Sequence, residues 1–439
     1  MSRAGLLAGA VISFAREETF GSVSPANSAL LDVSELNFIC PTMLRAPVGA
    51  AISALVQEVY DPEVTRSAGG ESVPETSGPF NGEDQEYSVK GPLKITIPLR
   101  TPGDEHIDTT ILDMLLGSCM KATLHAPDTT VAILALVSAY KLEVYHAAIG
   151  SFEAGDVVQY RKADGTPRYN RVVYVDGGAF EVWFDEDFDG GVDITKPLRL
   201  CNTYYVSFGV PDVSTSLAFK IQDANRTIIG VGARVNGWAI DLSGKDNITP
   251  EMSFDLDTTD GTLEDADDLP SDTHLGIADG AAKATKWKVS PSTYGGNRAG
   301  SQLAGGVSPI PLRSVAVAAT FKLRPAGGGN GVRTGLGNHD ITDAMLGITG
   351  SADEDSDLRG SLKGREVFAV SIAFNGGDAP GRGVVVVVPA ACVKKDIPPK
   401  VEDAGTSVDL EFRASDRARS VVITDTEKAR SPFYIAFPS

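Results

Sequence analysis

Histidine and cysteine are scarce in this 439-residue chain, five and four in number, and neither is grouped. Cys40, Cys119, Cys201 and Cys392 show no CxxC spacing, which argues against a zinc site or a dense disulfide framework and leaves them as small hydrophobes for burial. His106, His125, His146, His274 and His339 contain no HxH or HExxH pair, so structural roles are expected for them rather than a metal centre or a histidine triad. Aromatics are only 7% of the residues. Positive charge is also short: 39 Lys and Arg face 58 Asp and Glu, a net charge of -19. Such a chain repels a phosphate backbone on average, which disfavours binding to DNA by counterion release but suits an acidic conduit through which DNA slides. The longest apolar runs, residues 131–137 and the valines 384–388, fall far short of the roughly 20 residues of a spanning helix, so no membrane insertion is expected. Residues 1–15, with one early arginine and Leu6, Leu7, Ala10, Val11 and Ile12, have a faint likeness to a signal peptide, and cleavage is not expected.

What is abundant is turn and strand material. With 42% hydrophobic and 22% charged residues the chain is expected to fold, in two or three domains by length, and 46 Gly with 25 Pro imply many turns. Period-2 alternation dominates. Leu93, Ile95, Ile97 and Leu99 oppose Lys94 and Thr96; residues 219–240 read as two or three strands; Met252, Phe254 and Leu256 oppose Glu251, Ser253, Asp255 and Asp257, giving one apolar and one anionic face. Further strands are predicted at 315–323, 367–374, 384–388, 408–412 and 420–424. The best helix follows Pro102-Gly103-Asp104, with Ile107, Ile111, Leu112, Leu115 and Leu116 on one stripe, Asp104 or Asp108 as cap and Gly117 at its end. Residues 47–60 fit a helix or a strand equally.

Between 150 and 208 the pattern changes to short strands, 156–160, 171–175 and 180–184, with Asp164-Gly165 and Asp176-Gly177-Gly178 as turn signals. The expected fold is therefore mainly β. A sandwich or barrel body, 1–148 and 210–439, carries one or two flanking helices and is interrupted by a small β-barrel at 149–209. The Gly- and Asp-rich spans 258–279, 294–306, 326–337 and 351–357 read as long loops or arms that order against a neighbour.

The chemical inventory is thin. Residues 185–190, Asp-Glu-Asp-Phe-Asp-Gly, match the first half of a calcium loop, but position twelve is Lys196 where a bidentate Glu is needed, and strands rather than helices flank it; an anionic turn is the favoured reading. Glu264, Asp265, Asp267, Asp268 and Asp272 could pair carboxylates for glycoside hydrolysis, yet they sit in a Gly- and Asp-rich stretch without aromatic walls. Gly327-Gly328-Gly329 lacks the lysine of a phosphate loop, and no GxSxG elbow exists. The small basic spots at Lys283, Lys286, Lys288, at Lys394, Lys395 and at Arg413, Arg417, Arg419 suit subunit salt bridges better than a nucleic-acid groove. No enzyme and no cofactor emerge.

Several segments together resemble the tail tube proteins of long-tailed bacteriophages. Glu17-Glu18-Thr19-Phe20-Gly21 resembles that family's opening, and residues 91–97 followed by a helix ending Leu115-Leu116-Gly117-Ser118 are similar to its strand and helix. The closest likeness is Ser216-Leu217-Ala218-Phe219-Lys220 with Gly232, Ala233, Arg234, Val235, Asn236, Gly237 and Trp238, which resembles the family's hairpin and the strand after it. Residues 384–392 and 408–412 look like its paired C-terminal strands. The resemblance implies a non-enzymatic virion protein, assembled in the host cytoplasm, whose copies form rings, usually hexamers, that stack into a hollow tube for genome ejection. Its implied partners are further copies of itself, a tape-measure protein, a tail terminator and baseplate or tip proteins, with DNA passing unbound. Glu251, Asp255 and Asp257 are the candidate lumen-facing acids. The alternatives are a secreted or surface β-rich adhesion or glycan-binding module, and an acidic hydrolase using Asp265 or Asp268.

Overall fold

The computed structural model describes residues 11–17, 56–58, 87–89, 91–98, 111–165, 167–188, 191–208, 216–222, 226–241, 251–258, 260–265, 288–293, 312–327, 336–353, 367–374, 383–393, 400–402, 405–414 and 426–439. The protein is mainly β and antiparallel, with one short α-helix, Ile111–Gly117, and one 3-10 turn, His146–Ser151, among the described elements.

The body is an antiparallel ladder. Strand Gly91–Pro98 pairs with Glu251–Thr258, which pairs with Arg226–Asp241, then Leu312–Gly327, Leu336–Asp353 and Gly405–Ala414 follow. The ladder continues through Val384–Val393 and Val367–Phe374 to Lys288–Thr293. Alternation sets which side chains turn inward. Leu93, Ile95, Met252, Phe254, Leu256, Trp238, Ile240, Val315, Val317 and Ala319 are buried, while Lys94, Asp255, Asp257, Ala318 and Thr320 are exposed. The return strands supply Val370, Ile372, Val384, Val386 and Val388 to the same core, so the ladder curls over a single apolar interior. Trp238 and Phe321 both meet the ring of Phe433 within it, with centroids 6.3 and 6.1 Å away.

Strand Arg226–Asp241, at 16 residues, changes partners along its length. Its first half lies between Leu217–Gln222 and Asp260–Asp265, its second between Glu251–Thr258 and Leu312–Gly327. The change happens at Gly232, whose φ of +62 lies in the left-handed region that costs other L-residues about 1–2 kcal/mol. Gly230 answers a different need: a Cβ there would sit 2.2 Å from the Phe219 ring, which covers the strand.

A second core lies in the small β unit. Val158, Tyr160, Val172, Val182, Phe184, Leu198 and Leu200 pack there with Val131, Ile133, Leu142 and Val144. This cluster thus begins upstream of residue 149, because Ile133–Ser138 and Lys141–Val144 form a hairpin that pairs onto Glu181–Phe184. A third cluster, Val157, Tyr169, Cys201, Val385, Val387, Tyr434 and Ala436, joins this unit to the body. It explains the unbroken valine run. Val384, Val386 and Val388 face the main core while Val385 and Val387 face the joint, so the strand has no polar face, as expected of one covered on both sides.

Several expectations shift. The helix is described from Ile111, and Ile107, Asp104 and Asp108 lie outside the described residues. Of the span 47–60 only a strand, Val56–Glu58, is described. The stretch read as a loop at 258–279 contains strand Asp260–Asp265, because Leu263 pairs opposite Ile228 and Thr262 opposite Ile229 on the first half of the long strand. The spans 326–337 and 351–357 are shortened likewise, since Leu312–Gly327 and Leu336–Asp353 extend into them. The strand predicted at 420–424 lies outside the described residues.

Candidate functional site

Three segments that lie far apart in sequence meet at the partner change. Glu17 is 1% exposed, and its Oε1 accepts a 2.7 Å hydrogen bond from the Gly232 N–H, 215 residues away. The Glu17 N–H donates to the Ser216 carbonyl at 3.1 Å. On the other side, the Val235 N–H donates to Ser118 Oγ at 3.2 Å, and that hydroxyl donates to the Leu115 carbonyl at 2.9 Å. The helix end and the chain opening therefore satisfy the amides that the irregular strand would otherwise leave unpaired in the interior. Arg234, on the same strand, is fully buried. Burial pushes the neighbouring Cys119 thiol far up, and the Arg234 charge only partly opposes this.

The helix is anchored at its other end by Asp113, buried, which accepts from Tyr204 Oη at 2.5 Å and pairs with Arg16 of the first described strand. Leu112, Leu115 and Leu116 fill the core beneath, as their spacing predicts. Thus Glu17, the helix end Leu115 to Ser118 and the stretch Gly232 to Val235 are brought into one place. Gly232, Ala233, Arg234, Val235, Asn236 and Trp238 lie on the return strand of the hairpin formed by Leu217–Gln222 and Arg226–Asp241.

The candidate lumen acids occupy strand Glu251–Thr258. Asp255 and Asp257 project to solvent, Asp255 opposite Lys94 across the pair and Asp257 accepting from Asn236 Nδ2 at 2.7 Å. The Glu251 side chain lies outside the described residues. The same face carries Lys322 opposite Asp343 and the exposed Arg413, whose Nη2 meets Met345 Sδ at 2.8 Å. It is a mixed face with small residues, Ser253, Ala318 and Thr320, at its middle.

The joint between the two β units is polar as well as apolar, with no local sequence signal to announce it. Arg171, 6% exposed, donates from Nε to Asp185 Oδ2 at 3.0 Å and from Nη1 to Tyr434 Oη at 3.1 Å and the Ala429 carbonyl at 3.3 Å. Tyr434 Oη in turn donates to the Lys428 carbonyl at 2.7 Å. Lys428, 4% exposed, pairs with Asp156 and reaches Glu153 at 3.4 Å. Residues 426–431 are thereby wedged between the units. Burial pushes the Tyr434 phenol up, against the charge of Arg171.

The calcium-like turn adjoins this joint. Asp185 spends its charge on Arg171, and Asp187, whose carboxyl burial raises, has Oδ1 buried and without a hydrogen bond. Asp189 and Gly190 lie outside the described residues. Among the described residues no group of three His, Cys, Asp or Glu could hold a metal ion. Of the glycosidase-like acids, Glu264 and Asp265 belong to strand Asp260–Asp265 and the others lie outside the description. Cys119 and Cys201 are buried and Cys392 half-buried, all as free thiols.

No protein-family model matches the chain, and no curated protein matches its sequence.

Proposed function

We propose that this protein is a structural subunit that polymerises through its sheet, as the tail tube proteins of long-tailed phages do, with rings of copies stacking into a conduit for DNA. The observation that carries the reading is the open ladder. At one end Gly91–Pro98 has only Glu251–Thr258 as register partner among the described strands, and at the other Lys288–Thr293 has only Val367–Phe374. Two different edge strands, each with one free side among the described residues, suit a heterologous contact, in which one copy's first strand meets the next copy's last and the rotation closes a ring. The convergence of Glu17, Ser118 and Gly232 on one node supports the family likeness, because segments far apart in sequence that each resemble the family act as one structural unit. An overall charge of -19 suits a wall that DNA must pass without sticking.

Negative-stain microscopy of the purified chain, with sedimentation across a wide concentration range, tests the proposal. Rings or tubes are expected. A monomer at every concentration, or discrete particles without an axial channel, defeats it and favours the adhesion-module alternative.

A further inference from the structure

The small β unit carries a cleft that the assembly reading does not use. Its volume is 370 Å³, at the lower end of the roughly 300–1,000 Å³ of small-ligand pockets. Arg161, Lys196 and Arg199 line it together with Thr130, Tyr160 and Asp193. Three cations against one carboxylate in its wall make a positive concavity on a strongly acidic molecule. Asp128 holds Arg199 from outside.

The cations are held in place by the fold. Arg199 Nη1 donates to Asp128 Oδ1 at 2.6 Å and to a main-chain oxygen of Ser439. Arg161 Nη1 donates to the Gly165 carbonyl at 3.0 Å across the tight turn where Gly165 has a φ of +81. Their positions are thus fixed before any ligand arrives, which lowers the entropic cost of binding. Lys196, exposed, stands at the rim. The wall carboxylate is internally occupied: Asp193 Oδ1 accepts from the Thr195 N–H at 3.0 Å and the Thr195 hydroxyl at 2.6 Å. Those bonds to Thr195, aided by Lys196, hold its carboxyl below the ordinary range.

We infer that this cleft binds a single carboxylate-bearing sugar residue. Arginine forks match the two oxygens of a carboxylate, and the carbon of the Arg and Lys stems with Pro197 gives a wall for a sugar ring. The exposed Thr130 at the cleft offers a hydroxyl to ring hydroxyls. A nucleic-acid strand is the weaker fit, because such sites offer open ring faces for base stacking. Tyr160, the aromatic residue of the lining, is 5% exposed and is met edge-on by Phe188 at 4.9 Å. The inference does not depend on polymerisation.

Saturation-transfer difference NMR on the full chain, which works on single copies and on assemblies alike, tests this with sodium glucuronate, glucose, inorganic phosphate and a short DNA oligonucleotide as probes. Glucuronate is expected to bind saturably and glucose about tenfold or more weaker, the worth of a charge-assisted pair. Lys196→Glu, on an exposed side chain, is expected to weaken glucuronate about tenfold with the melting temperature unchanged, and Arg161→Gln to do the same. Equal signals from glucose and glucuronate, or no change in either variant, overturn the inference. Tighter occupation by phosphate or by the oligonucleotide overturns it too, by assigning the cleft to a plain anion or to nucleic acid.

Discussion

The interior of the body and the joint beneath the small β unit are buried to the same degree but are held by different physics. In the body, Trp238, Phe254, Leu256 and Val386 are packed apolar side chains whose positions follow from strand period. At the joint, Arg171, Asp185, Lys428, Asp156 and Tyr434 form a chain of hydrogen bonds and ion pairs between segments up to 272 residues apart. Apolar packing tolerates some imprecision and fails gradually, whereas a buried charge depends on its one partner. The body specifies which residues are inside; the joint specifies how the second unit is oriented against the first.

That contrast can be broken most sharply at Lys428. Lys428→Met strands the buried Asp156 carboxylate and is expected to cost about 3–5 kcal/mol in denaturant unfolding, with Asp156→Asn in the same chain recovering a large part. An equal loss in the single and double variants contradicts an ion pair there. In the body, Val386→Ala removes two methyl groups from the main core and is expected to cost about 2–3 kcal/mol, with no dependence on pH. At the node, Gly232→Ala is expected to cost about 1–2 kcal/mol for its backbone conformation. Glu17→Ala, which removes the carboxylate that accepts from the Gly232 amide, is expected to cost about 1–3 kcal/mol. The two together are expected to fall short of their sum, since one bond joins them.

A weaker probe of the joint is pH. Burial holds the His125 imidazole below its ordinary value near 6.5, while Asp156 and Glu153 pull it up and Lys428 pushes it down further. The unfolded chain therefore takes up the proton first, and stability present above about pH 6.5 is lost as pH falls from there through the folded value. His125→Gln is expected to flatten that part of a stability–pH curve, and an unchanged slope refutes the assignment. The smallest effect is on the outer face, where Asp255→Asn and Asp257→Asn are expected to move monomer stability by no more than about 0.5 kcal/mol in thermal melts.

Legibility in the sequence follows the same division. Alternation revealed Leu93 and Ile95 against Lys94, and Met252, Phe254 and Leu256 against Asp255 and Asp257, because one face of each strand meets water. The helix stripe of Leu112, Leu115 and Leu116 was legible for the same reason. The valine run read as β but not as two-sided, since a run without polar residues does not say what covers each face. The hairpin from Ile133 to Val144 has no clean in-and-out pattern in its sequence, because Leu134, Leu136 and Val137 are apolar yet exposed. Lys428 with Asp156, and Arg171 with Asp185 and Tyr434, left no local signal, since each pairing is made by tertiary approach and not by spacing. The node has no local signal either: Glu17 and Ser118 lie far apart in sequence, and that both accept from amides of one irregular strand required the fold.

Strand Val384–Val393 belongs to both interiors at once, and its neighbour Tyr434–Pro438 does the same. Strand Leu198–Tyr205 of the smaller unit pairs along Tyr434–Pro438, so hydrogen-bonded strands run from one unit into the other and hold their mutual orientation. In any array of identical copies that orientation would recur from copy to copy, and the spacing of the clefts would be set by the array and not by thermal wandering of the unit.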